Sequence, residues 1–149
     1  MYFIRLATIL SLPLLAGGCL MLPVVEEHVY STCHAVASSG WTARVEYIPD
    51  HHNRPVFKPT LLVAGRVTVP GEGYSVSLDL GPVQKLDAPV QQILVRTDPP
   101  AGTPSGAKEV IAVSGAFPAL KHYGAVNIRC GDGIIGIIKP VARAAKPSR

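Results

Sequence analysis

The densest cluster of potential metal ligands in this 149-residue chain is Asp50-His51-His52. Catalytic zinc takes three protein ligands and keeps a fourth position open. Neighbouring side chains on a strand point apart, so only a bent loop would turn both imidazoles toward one ion. His34 and His122 are the histidines that could join from a distance. The plainer reading, an exposed loop, is the expected one. A second pattern, Gly131-Asp132-Gly133-Ile134-Ile135-Gly136, matches G-x-G-x-x-G. A dinucleotide site needs a strand before that pattern and, after it, a helix N-terminus to hold the pyrophosphate. Here β-branched isoleucines follow and Pro140 ends the run, so a hairpin turn is expected instead. No Gly-x-Ser-x-Gly elbow occurs, and Ser114 before Gly115 falls inside a strand pattern. The ten acids are scattered, without a pair in a glycosidase-like context. The residue types argue against catalysis, and no cofactor or metal is expected.

The elements that would position these residues read as strands. Trp41, Ala43, Val45 and Tyr47 share one face, while Thr42, Arg44 and Glu46 share the other. Three prolines within Pro49 to Pro59 predict an irregular eleven-residue loop. Leu61 to Val69 alternates again, with Leu61, Val63, Val67 and Val69 on one side. Pro70-Gly71 fits the centre of a type II turn with glycine at positive φ, so Leu61–Val69 and Tyr74–Leu80 are expected to form a hairpin. Gly81 to Pro89 reads as a connection and Val90 to Thr97 as a strand whose Ile93/Val95 face Gln91 interrupts. After an irregular loop at 98–106 come strand patterns over Glu109–Phe117, Tyr123–Cys130 and Ile134–Ile138. About seven strands without a helix between them predict an all-β fold, a two-sheet antiparallel sandwich. Its architecture looks like the immunoglobulin class. The details differ, because Trp41 lies only eight residues after Cys33 and Ile128 stands where a tyrosine corner would need Tyr.

The first residues carry a different message. Arg5 leads into the apolar run Leu6–Leu15, and the small residues Ala16-Gly17-Gly18 precede Cys19. Basic start, short apolar middle and small residues at the end are the three parts of an export signal. The alternative is an uncleaved membrane helix, since Leu6 to Val25 approaches the roughly 20 residues that span a bilayer. Pro13, Gly17, Gly18 and Pro23 disfavour that helix.

Leu15-Ala16-Gly17-Gly18-Cys19 resembles the lipobox of bacterial lipoproteins, with Ala16 in place of the commoner leucine. The resemblance implies that residues 1–18 are removed and that Cys19 is lipidated. Residues 19–32 then form a tether, 33–140 the sandwich domain and 141–149 a basic tail. Leu20 after Cys19 implies, by similarity to lipoprotein sorting in enteric bacteria, an outer-membrane location facing the periplasm. With Cys19 so used, Cys33 and Cys130 remain as one possible disulfide, favoured outside the reducing cytoplasm. Ser38-Ser39-Gly40-Trp41, Pro70-Gly71-Glu72-Gly73-Tyr74 and Arg129-Cys130-Gly131 also resemble small exported bacterial β-proteins of unknown role.

Charged residues make up 16% of the chain and hydrophobic ones 48%, so the chain is not disordered, and the 131 residues after the signal suffice for one core. A formal charge of +4 gives no case for a nucleic-acid partner. After Asp132 the sequence is wholly basic, which fits a solvated tail or contact with an anionic envelope surface. The expected function is that of a non-catalytic, lipid-anchored cell-envelope protein. Its partners would be the membrane, through the lipid on Cys19, and an envelope protein or polysaccharide. The alternatives are an inhibitor of an attacking hydrolase, using the proline-rich loops, and a small hydrolytic or metal-dependent enzyme.

Overall fold

The computed structural model describes residues 32–50, 56–104 and 106–147. Within them the chain forms eight strands and no helix. The strands are β1 (Ala37–Pro49), β2 (Phe57–Val69), β3 (Ser75–Gln84), β4 (Val90–Asp98), β5 (Glu109–Pro118), β6 (Ala125–Cys130), β7 (Gly133–Ile138) and β8 (Ala142–Arg143). They build two four-stranded sheets, ordered β5-β2-β1-β8 and β3-β4-β6-β7. The all-β sandwich read from the sequence is therefore the fold.

Alternation decides what is buried. Leu61, Val63, Val67 and Val69 of β2 are closed to solvent, and so are Ala43 and Val45 of β1. Ile93 and Val95 of β4 and Val126 and Ile128 of β6 meet them from the second sheet. Inner faces of two twisted sheets interdigitate in this way to make a single apolar layer. Removing that surface from water is the main favourable term in the fold.

Three expectations need correction. The segments Leu61–Val69 and Tyr74–Leu80 do not form a hairpin: β2 pairs with β1 and β5, whereas β3 pairs with β4. Residues 70–74 instead carry the chain from one sheet to the other. The left-handed glycine in that crossing is Gly73, at φ 85°, rather than Gly71. The actual hairpin joins β1 to β2, whose ladder runs out to Pro49 opposite Phe57, so the loop expected over Pro49 to Pro59 is mostly strand outside residues 51–55.

Second, the sheets are mixed. β4 runs parallel to β6, and β1 parallel to β8. The strand between β4 and β6 in sequence, β5, lies in the opposite sheet. One traverse there returns the chain in its original direction, and a parallel pair results. An all-antiparallel immunoglobulin-like arrangement would have no such pair. Third, the stretch taken as a basic tail begins as structure. Val141 packs against the core, Ala142 and Arg143 pair with Arg44 and Val45, and the Ala144 amide donates to Val45 O at 2.8 Å.

Two of the three register shifts in the described ladders set the local geometry around Trp41 and Gln91. Between Ser39 and Thr42 the β1–β2 register shifts, placing Gly40 and Trp41 opposite Gly65 alone. Gly40 sits at φ 65°, the left-handed glycine that opens a bulge and re-aims the next side chain. Trp41 then lies over Gly65, where a Cβ would come within 2.3 Å of its Cε3. A second shift, between Leu80 and Val83 in β3, frees the Gly81 carbonyl. The Gln91 amide donates to it at 2.7 Å, so the residue that breaks the apolar face of β4 satisfies the bulge beside it.

Candidate functional site

The topology defines two ends of the sandwich. At one lie Cys33, the 70–74 crossing, the 98–108 loop and the β6–β7 turn; at the other lie the β1–β2 and β3–β4 turns, the 119–124 loop and Lys139-Pro140.

At the first end Cys33 and Cys130 are bonded, with Cα atoms 5.2 Å apart and a sequence separation of 97. Cys130 closes β6 on the same face as the buried Val126 and Ile128. The adjoining segment is held by Thr97, which is buried: its Oγ1 accepts from the His34 amide at 2.7 Å and lies 3.2 Å from His34 Nδ1. The His34 ring tilts at 50° against Tyr74, 5.7 Å away. His34 is thus part of the packing around the bridge.

His122 lies just before β6 begins, at the opposite end from His34, so these two histidines do not converge. His51 and His52 fall outside the described residues, as does Cys19. Among the described residues no group of three metal-ligating side chains is gathered. Asp50 is paired with Lys58. The Gly131-Asp132-Gly133 pattern forms the β6–β7 turn, with Gly131 at φ 56° and Cys130 opposite Gly133. A strand follows it, so the helix amides that a pyrophosphate requires are not there. Its last glycine, Gly136, has a packing role under Trp41. Ser114 is exposed on the outer face of β5, opposite Ala64. The proline-rich 98–106 loop is packed against the 70–74 crossing, Pro100 on Gly73 and Glu72 on Gly106.

A concavity lies at the second end. A groove of about 720 Å³ runs between the β3–β4 turn and Lys139, on the outer face of the β3-β4-β6-β7 sheet. Val90 and Ala125 form its floor, and Lys85, Leu86 and Asp87 one wall. Beside it the 119–124 loop is pinned twice. The Leu120 amide donates to Tyr123 Oη at 2.8 Å, and the Arg143 guanidinium donates to Leu120 O at 2.6 Å. Burial pushes the Tyr123 phenol above its ordinary 10.0, while the Leu120 bond and the Arg143 charge pull the other way. One row beyond the groove floor, Gln92 is 1% exposed, and neither atom of its amide has a hydrogen-bond partner.

Of the groove lysines, Lys139 reads in the sequence only as part of the basic end after Asp132, and nothing there singles out Lys85. Each stands alone in its own turn, and only the pairing of β4 beside β6 and β7 brings them together. Comparisons with protein-family models, curated proteins and solved structures gave no match.

Proposed function

We propose that the chain is a lipid-anchored cell-envelope protein whose sandwich serves as a non-catalytic binding or structural module. The observation that carries the reading is the order of its first residues: Arg5, an apolar run, then Ala16-Gly17-Gly18-Cys19. Two further features support it. The Cys33–Cys130 bridge belongs to an oxidising space. It also fastens the sandwich at the point where the chain enters from residues 19–32, so pulling on the tether would load a cross-linked strand. Some of the residues considered for chemistry have structural roles: His34 packs at the bridge, Gly131 and Gly136 shape the β6–β7 hairpin, and Asp50 pairs with Lys58.

A module of this kind acts through what it holds. Mild detergent extraction after brief cross-linking should recover the chain with a fixed stoichiometric companion from the envelope. Recovery of the chain alone, together with turnover of an ester, peptide or glycoside substrate, would replace the module with an enzyme.

A further inference from the structure

Charge is unevenly shared between the two ends of the sandwich. The end carrying the disulfide holds Glu72, Asp79, Asp98, Glu109 and Asp132 against Arg66, Arg96, Lys108 and Arg129. The opposite end holds Lys58, Lys85, Lys121, Lys139 and Arg143 against Glu46, Asp50 and Asp87. The basic residues come from four different segments, so the asymmetry is a property of the fold and not of one run in the sequence. Two of them, Lys85 and Lys139, stand in the walls of the 720 Å³ groove, with Asp87 the carboxylate in its lining.

The geometry points to this groove as the seat of an anionic glycan strand, whose carboxylates or phosphates meet Lys85 and Lys139 while its sugar rings lie on Val90 and Ala125. The inference deepens the binding-module reading and rests on it. A single exposed ion pair is weak, so a small monovalent anion would not stay. A polymer engages successive cations at once and gains from each without a new loss of translational freedom. The partly apolar floor, with Leu86 exposed at the lip, suits the C–H faces of sugar rings. A bilayer surface fits less well, because the cations line a concavity and stand at the end away from Cys33.

The full chain in neutral detergent, titrated with heparin as the probe, tests this. Saturable binding that weakens steeply with salt is expected, and Lys139→Glu should weaken it by about tenfold, against less than about twofold for Lys108→Glu at the other end. Equal losses in the two variants would mean that net charge alone attracts the probe, and would overturn the site. Binding to phosphatidylglycerol-doped micelles without heparin binding would overturn the glycan in favour of a lipid surface. Absence of heparin binding alongside a recovered protein companion would remove the glycan and leave the module reading standing.

Discussion

Gly136 of β7 meets the indole of Trp41 across the interior: a Cβ built on Gly136 would stand 2.7 Å from Trp41 Cδ1. Gly65 of β2 meets the same ring from the other side. The Trp41 Nε1–H donates to Ser38 Oγ at 3.1 Å, and the Ser38 hydroxyl donates to Ile135 O at 3.1 Å. One large side chain thus links both sheets, and two glycines make room for it. Gly136→Ala should cost about 1–3 kcal/mol by forcing the ring aside. Gly102→Ala, which meets nothing within 4 Å, should cost far less. Chemical denaturation of both variants checks the contrast, and equal stability would show that Trp41 is not clamped.

Gln91 and Gln92 are adjacent, both buried, and should respond oppositely to the same change. Gln92→Met removes an amide that has no partner and should stabilise the domain by about 1 kcal/mol. Gln91→Met strands the Gly81 carbonyl and should destabilise it by about 1–3 kcal/mol. Thermal melts of the two variants would settle the assignment; a Gln92 variant that melts lower would mean its amide is satisfied.

Tyr123 gives the 119–124 loop a dependence on alkaline pH. Its folded-state pKa lies above the ordinary 10.0, so the neutral phenol is favoured by folding. That contribution is fully present below about pH 10 and is lost as pH rises through the folded value. At neutral pH, Tyr123→Phe should cost about 1 kcal/mol, because the Leu120 amide loses its acceptor. Above pH 10 the gap between wild type and variant should narrow. A gap independent of pH would contradict the buried phenol.

The Cys33–Cys130 bond joins residues separated by 97 positions in sequence. Replacing both cysteines with alanine should lower stability by about 2–4 kcal/mol, chiefly by freeing the unfolded chain. Intact mass after alkylation, with and without reductant, gives the bonding state directly. Two alkylated thiols in the unreduced protein would refute it.

What could be read from the sequence was the local part of this fold. The period of two in Leu61–Val69 and in Trp41–Tyr47 marked the strands and their buried faces. Sheet membership was not legible, because Pro70-Gly71 signals a change of direction and says nothing about which strand the chain will pair with next. The parallel β4–β6 pair follows from β5 lying in the other sheet, a long-range fact. β8 is two residues long and has no periodicity to detect. Gln91 looked like a flaw in β4 because the carbonyl it serves belongs to a bulge in β3. Glycines inside strands, Gly65 and Gly136, were a usable sign of close approach, though their shared partner, Trp41, emerges only in three dimensions. The groove lysines come from separate turns and were invisible as a group.

The most direct test of the account is the mass and N-terminal residue of the protein isolated from membranes, beside that of Cys19→Ser. Wild type should begin at Cys19 and exceed its polypeptide mass by that of the attached acyl groups, while the variant should keep residues 1–18 and carry no lipid. An unmodified wild-type chain that retains Met1, or a variant of the same processed mass and the same membrane retention, would contradict the lipid-anchored reading and favour the uncleaved helix.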